Sequence, residues 1–215
     1  MRTAGLRLAV LVSGEGSNLQ AILDSVHGRD GIEVVAVGSN RAGARGLERA
    51  RDAGVETGVF PRDDYGDRPA RDTALADWLD GLGAELVVLA GYMELLAPEF
   101  VRRFRGRLIN VHPSLLPAFT GLNAIGQAID YGVRVMGVTV HFVDEGIDTG
   151  PIIAQEAFAV DPYALGVDVI EARVHAIEHE LLPRAIGLIA SGAVSVDPAT
   201  PRRIVIKGGN RSGDE

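Results

Sequence analysis

The sequence has no cysteine among its 215 residues. This absence excludes disulfide bonds, thiolate catalysis and zinc sites with cysteine ligands. The first apolar segment, Leu6–Val12, is too short to cross a bilayer, and it lacks the charged start, longer apolar run and cleavage site of a signal peptide. We therefore expect a cytoplasmic protein, which the lack of cysteine also fits.

The chain also has no dense run of lysine or arginine, and its formal net charge is −8. Proteins that bind the phosphate backbone of nucleic acids usually show a basic stripe, so nucleic acid is not an expected partner. Because the first apolar segment is too short to cross a bilayer, a membrane is not an expected partner either. An acidic average still permits a local pocket for an anion.

Length and composition are typical of a globular protein, with 47% apolar and 23% charged residues. We expect a single domain over residues 1–190 and a C-terminal extension over residues 191–215. The extension offers two short strands, at 194–196 and 204–206, followed by a polar and mobile end.

In the first half of the chain, short apolar runs alternate with segments of helical periodicity. Strands are predicted at residues 7–12, 34–37, 55–60, 85–90 and 108–111. Helices are predicted at residues 18–26, 44–53, 68–82 and 98–104. This alternation predicts an α/β fold with a mostly parallel, twisted sheet and helices on both faces.

The pattern changes after Gly132. Residues 133–143 and 152–160 are two extended runs joined by the loop "DEGIDTGP", which favours an antiparallel pair. Residues 167–190 then have the length of one long helix.

A glycine-rich loop, "SGEGSN" at residues 13–18, follows the first predicted strand and opens the first helix. Backbone N–H groups at such a helix start favour an anion. Leu19 stands where a dinucleotide fingerprint needs its third glycine, and no Gly-Lys-Ser/Thr is present, so neither a nicotinamide cofactor nor a Walker loop is expected. A monophosphate pocket and a simple tight turn with a helix cap both remain open.

Asn110 and His112 lie at the carboxyl end of an apolar strand, in "LINVHPSLLP". Residues two apart in a strand face the same side, and open α/β sheets bind ligands at this end of their strands. An amide that donates to an oxyanion and an imidazole that carries a proton suit acyl-type transfer. The alternative is that both side chains hydrogen-bond the next loop and cap the strand.

A carboxylate beside His112 would orient the ring and favour its charged form. Three acids of the loop "DEGIDTGP", Asp144, Glu145 and Asp148, compete for this role by chemistry alone.

Two further patterns have competing interpretations. The segment "HAIEH" at 175–179 fits an inverted zinc-peptidase motif, but the residues after it do not provide the expected acidic ligand in a helical subdomain. Met93, Leu95 and Leu96 follow a strand end, where they could form ordinary core or the wall of a pocket.

These segments resemble the family of glycinamide ribonucleotide transformylases, the folate-dependent formyltransferases of purine synthesis. The resemblance extends from about residue 7 to about residue 183, and it implies a Rossmann-like formyltransferase fold with an antiparallel C-terminal part. The motifs that carry it are "SGEGSNLQAI", "SNRAGARGLERA", "VVLAGYMELLAPEF", "GRLINVHPSLLPAF", "GVTVHFVDEGIDTGPII" and "EHELLP".

The resemblance implies roles for individual residues. The catalytic trio of the family corresponds to Asn110, His112 and Asp148. The substrate phosphate would bind at Gly16, Ser17 and Asn18, and its ribose at Glu178. The folate-binding positions would be Arg68, Met93, Glu94, Leu95, Leu96 and Val143.

The implied reaction transfers a formyl group from 10-formyltetrahydrofolate, a co-substrate, to the glycinamide amine of 5′-phosphoribosylglycinamide in purine biosynthesis, without a metal. The expected partners are these small molecules, with a homodimer as one expected assembly. Alternative hypotheses for the function are a different folate-dependent formyltransferase, a formyltetrahydrofolate hydrolase, or a non-catalytic nucleotide- or folate-binding module of the same fold.

The sequence departs from the family at the folate site and near it. Glu94 stands where the family often has arginine, which would weaken contact with the anionic tail of the folate. Thr120 replaces a frequent proline, and Asn123, Ile125 and Gly126 replace frequent histidines or arginines.

Overall fold

A computed structural model describes residues 5–200 and 202–207. Its main element is a seven-stranded sheet with the order β3-β2-β1-β4-β5-β6-β7. The first five strands of this order run parallel, whereas β6 pairs antiparallel with both β5 and β7. The strands are β1 Leu6–Val12, β2 Ile32–Ser39, β3 Glu56–Val59, β4 Leu86–Leu89, β5 Leu108–His112, β6 Val135–Phe142 and β7 Ile152–Ala159.

Helices cover both faces of the sheet, because the inner strands are apolar on both sides. In β1, Leu8 and Val10 face one core while Ala9 and Leu11 face the other. The first core contains side chains of α1, α2, α5 and α6, and the second contains those of α3 and α4. The helices are α1 Ser17–Ser25, α2 Arg45–Asp52, α3 Arg68–Gly81, α4 Pro98–Arg103, α5 Ala124–Tyr131 and α6 Val167–Ala190. The predicted fold class is confirmed.

Helix α5 is the element that the sequence analysis does not predict. It begins after Asn123, which has a left-handed backbone and makes no capping hydrogen bond with its side chain. Gly126 in its interior further weakens the helical signal. The apolar face of Ala124 and Ala128 holds the helix against the sheet, so tertiary packing outweighs a weak local preference.

The C-terminal extension forms a hairpin of β8 Val194–Val196 and β9 Ile204–Ile206. Val194 and Ile204 pack against the first core, so the hairpin lies on the domain. The predicted mobile end at residues 208–215 lies outside the described residues.

The strand order creates a crevice between β1 and β4. From β1 the chain proceeds outward to β3 and then returns to the opposite side of β1. Ligands of open α/β sheets bind at such a switch point, outside the carboxyl ends of the strands. Within the described residues, no helix is long and apolar enough to cross a membrane.

Candidate active site

Asn110, His112 and Asp148 converge at the carboxyl end of β5. His112 Nδ1 lies 3.4 Å from Asp148 Oδ2, and Asn110 Nδ2 lies 3.5 Å from Asp148 Oδ1. His112 Nε2 lies 2.8 Å from the carbonyl oxygen of Phe119. Both nitrogens of His112 therefore face oxygen acceptors, which a doubly protonated ring would satisfy.

The turn after β6 explains why Asp148, and no neighbouring acid, reaches this place. Asp148 has a left-handed backbone, with a φ of 52°, which turns its side chain back toward β5. Asp144 Oδ1 instead accepts hydrogen bonds within the loop, from Gly146 N at 3.1 Å and from Thr149 Oγ1 at 2.6 Å. Glu145 lies 4.0 Å from Arg102.

The environment of Asp148 stabilises its carboxylate. Burial alone would raise the pKa of Asp148, but contact with His141, a hydrogen bond from Gly121 N at 2.8 Å and the charge of His112 lower this pKa below its ordinary value. An ionised carboxylate therefore stands beside His112.

A second histidine, His141, completes the cluster and is buried on β6. Its Nδ1 lies 2.9 Å from the carbonyl oxygen of Phe142, and its Nε2 lies 3.3 Å from Asn110 Nδ2. Nε2 is also 3.6 Å from Asp148 Oδ1. Sequence reasoning assigned no role to His141. The strand register would have revealed its place in the cluster, because His141 pairs directly with Asn110 across β5 and β6.

The glycine loop lies at the end of β1, on the same edge of the sheet. Gly16 has a φ of 70°, and a Cβ there would lie 2.6 Å from the Cα of Gly46, so a larger residue does not fit. Helix α1 begins at Ser17 with no acidic residue of its own in the first turn, so its N–H groups favour an anion.

Asn18 joins this loop to helix α6. Its Nδ2 donates to Glu178 Oε2 at 3.0 Å, and its Oδ1 is buried with no hydrogen-bond partner among the described residues. Glu178 is only 4% exposed, and His175 Nδ1 lies 2.9 Å from its Oε2. This contact raises the pKa of His175. A buried carboxylate and an unsatisfied amide oxygen can both accept hydrogen bonds from ligand hydroxyl or amine groups.

The predicted folate-binding residues 93–96 follow β4, the strand next to β1 in the sheet. Met93 and Leu95 are 61% and 60% exposed, which excludes ordinary core for these two side chains. Leu96 and Val143 are partly buried against the second core. Arg68 is exposed at the start of α3.

Comparison with known proteins decides the family. The chain matches the formyl transferase family over residues 6–186. It belongs to that family. It is 41% identical over 187 residues to a phosphoribosylglycinamide formyltransferase of Haemophilus influenzae, covering 86% of this chain and 88% of that one. A Bacillus subtilis protein of the same name is 39% identical, covering 84% of this chain and 92% of that one.

A solved structure agrees with these relatives. The glycinamide ribonucleotide transformylase 1 of Symbiobacterium toebii superposes with a TM-score of 0.89 at 45% identity, over 95% of each chain. The chain also matches longer proteins: it is 47% identical to a trifunctional purine biosynthetic protein of Drosophila pseudoobscura pseudoobscura, covering 87% of this chain but only 14% of that protein. The resemblance inferred from the motifs is therefore confirmed.

In this formyl transferase the tertiary structure brings most of the predicted residues to one edge of the sheet. The trio forms one cluster, and the glycine loop reaches Glu178 through Asn18. The side chain of Glu94 is the exception, because it turns inward to Arg71 and Asn40. Among residues 5–200 and 202–207, no group of three or more His, Cys, Asp or Glu side chains is arranged to hold a metal ion.

Proposed function

We propose that this formyl transferase moves the formyl group of 10-formyltetrahydrofolate to the glycinamide amine of 5′-phosphoribosylglycinamide. The observation that carries the proposal is the convergence of Asn110, His112 and Asp148 at the sheet edge that also holds the glycine loop. The relatives named for this reaction support it.

The nucleotide would bind between the glycine loop and α6. Backbone N–H groups at Gly16, Ser17 and Asn18 suit a phosphate at the start of α1. Glu178, whose carboxylate lies 3.0 Å from Asn18 Nδ2, would accept hydrogen bonds from ribose hydroxyl groups. The donor would lie along the segment of Met93, Leu95 and Leu96, with Val143 and Arg68 at its margins.

The reaction needs no covalent enzyme intermediate. The substrate amine attacks the formyl carbon, and the carbonyl oxygen becomes an oxyanion in a tetrahedral intermediate. Asn110 donates an N–H to this oxygen and protonated His112 places positive charge beside it. As the intermediate collapses, the bond from carbon to N10 breaks. The proton that the amine loses reaches N10, with Asp148 assisting the transfer through water.

The charges of the cluster fit these steps. The lowered pKa of Asp148 keeps its carboxylate ionised, so a negative charge faces His112 Nδ1 at 3.4 Å. The 10-formyltetrahydrofolate donor, the cytoplasmic location and a homodimer belong to the same proposal.

The test is a spectroscopic formyl-transfer assay with 5′-phosphoribosylglycinamide and 10-formyltetrahydrofolate. The wild-type protein should form tetrahydrofolate only when both substrates are present. His112→Ala should lower kcat by about 10² to 10⁴. His27→Gln provides a matched control, because His27 lies outside the cluster and accepts a hydrogen bond from Val34 N. A wild-type protein that binds the nucleotide and never formylates it would contradict the proposal.

A further inference from the structure

Arg71 on helix α3 is fully buried, at 0% exposure, and lies between two carboxylates. Its Nε donates to Asp72 Oδ1 at 2.8 Å, and its Nη1 forms an ion pair with Glu94. Burial alone would lower the pKa of Arg71, but the two carboxylates raise it above the ordinary value. A buried guanidinium of this kind is costly unless several oxygens surround it.

The side chain of Glu94, the partner of Arg71, is mostly buried, with 26% of it exposed. One of its carboxylate oxygens pairs with Arg71 and the other accepts from Asn40 Nδ2 at 3.2 Å. Burial would raise the pKa of Glu94, yet Arg71 and Asn40 lower it. Arg71, Asp72 and Glu94 therefore form a cluster of one guanidinium and two carboxylates, with Arg71 between the acids.

The same network holds the backbone of residues 91–97, which we call the donor segment. Ser13 N donates to the carbonyl of Gly91 at 3.1 Å, and Ser13 Oγ accepts from Met93 N at 2.8 Å. At the far end, Ala97 N donates to Asp72 Oδ2 at 2.5 Å. Ser13 Oγ in turn donates to Asn40 Oδ1 at 2.6 Å.

These contacts anchor the donor segment at four points along its length. The anchors come from the ends of β1 and β2 and from α3, while Met93 and Leu95 stay exposed. Glu94 is the central anchor, because it lies between Met93 and Leu95 and is held from two directions. Without it, the middle of the segment would keep the hydrogen bond of Met93 N with Ser13 and the apolar packing of Tyr92 and Leu96, but no ion pair.

We propose that Arg71 and Glu94 are positioning residues that hold the donor segment in the shape that binds the folate donor. Their ion pair acts through the backbone of the segment, and neither side chain contacts the formyl group. The inference rests on the proposed function, because it assigns the donor to this segment. It predicts that disturbing the pair weakens binding of folate and leaves binding of the nucleotide unchanged.

The experiment measures binding by isothermal titration calorimetry, with tetrahydrofolate and with 5′-phosphoribosylglycinamide as separate probes. Glu94→Ala removes both anchoring contacts, and Glu94→Gln keeps the shape but loses the charge. Glu99→Gln is the matched control, because Glu99 also pairs with an arginine, Arg102, but on the exposed surface of α4.

Without these internal bonds the free segment would adopt its binding shape less often, by an amount set by the strength of a charge-assisted hydrogen bond. Glu94→Ala should therefore raise the Kd for tetrahydrofolate by about ten- to a hundredfold. Glu94→Gln should have a smaller effect in the same direction. In both variants the Kd for the nucleotide should stay within about twofold of wild type. In steady-state assays the KM for the donor should rise more than kcat falls.

Thermal melting of each variant separates positioning from folding. If Glu94→Ala does not fold, Glu94→Gln carries the test. Equal weakening of both probes, or unchanged binding of tetrahydrofolate, would overturn the inference while leaving the proposed function in place. A wild-type protein that binds neither probe would overturn the proposed function and this inference with it.

Discussion

Asp148 Oδ2 lies 3.4 Å from His112 Nδ1, although the two residues belong to a loop after β6 and to the end of β5. The same carboxylate accepts a hydrogen bond from Gly121 N at 2.8 Å, which fixes its position. A lowered pKa keeps the carboxylate of Asp148 ionised, so a negative charge faces the ring of His112, as the proposed mechanism requires. This relationship makes Asp148 the most informative residue to change.

Asp148→Asn should lower kcat by about 10² to 10⁴, because the amide can neither hold His112 charged nor accept a proton. The KM for both substrates should change much less, since the side chain remains similar in shape. The measurement is steady-state formyl transfer. Asp144→Asn is the matched control, because within the described part of the chain the Asp144 side chain accepts hydrogen bonds from its own loop, from Gly146 and Thr149. A similar loss in both variants would indicate disruption of the loop and not a catalytic role.

Ser17→Ala and Asn18→Ala should weaken binding of 5′-phosphoribosylglycinamide by about tenfold each, because each removes a polar group at the start of α1. Binding of tetrahydrofolate should change little. Both affinities can be measured by calorimetry, with Ser25→Ala at the opposite end of α1 as the control. Equal weakening of both ligands would rule out the phosphate-loop assignment.

Tyr92 gives a prediction for alkaline pH. Burial raises the pKa of Tyr92 to about 12 from an ordinary value of 10. The folded state therefore keeps its proton while the unfolded chain loses it, so this contribution to stability is fully present below pH 10 and is lost as the pH rises toward 12. A shift of this size corresponds to about 2 to 3 kcal/mol.

Tyr92→Phe should remove the loss of stability between pH 10 and about 12. Urea unfolding measured at these two pH values would show whether the loss is gone. The substitution should be well tolerated at neutral pH, because the hydroxyl of Tyr92 is buried with no hydrogen-bond partner among the described residues. Tyr131→Phe, at a side chain that is 80% exposed, is the control. A Tyr92→Phe protein that loses as much stability as wild type would refute the assignment.

Gly150 provides a test of how the loop presents Asp148. A Cβ at this position would overlap the carbonyl oxygen of Phe142, so Gly150→Ala must displace the turn. We expect a loss of about 2 to 4 kcal/mol in the free energy of unfolding, together with reduced kcat. Gly43→Ala is the control, because a Cβ there meets nothing within 4 Å. Unchanged stability and activity in Gly150→Ala would show that the turn adapts freely.

The sequence predicted most of the fold because its signals are local. Apolar runs with strand spacing and helices with a proline in the first turn, such as Pro69 in α3, need no tertiary information to recognise. Helix α5 was not predicted because its own sequence favours a helix only weakly. Its packing against the sheet supplies the remaining stability.

Local spacing predicted only some of the residues of the candidate site. Strand periodicity placed Asn110 and His112 on one side, and the structure shows both in contact with Asp148. It could not predict His141, since cross-strand register depends on how β5 and β6 pair. Nor could it predict that Glu94 turns inward, because its partner Arg71 lies on a different element.

By itself, the sequence determined the α/β architecture, the edge of the sheet where we propose that ligands bind, and the resemblance that pointed to formyl transfer. The resemblance already pointed to Asp148, but only the tertiary structure shows this carboxylate beside His112 and shows where the charge of Glu94 goes. The physical reason is that hydrophobic periodicity is a property of each element by itself. The position of a carboxylate depends instead on the local backbone, as at Asp148, or on a partner from another part of the chain, as for Glu94 and Arg71.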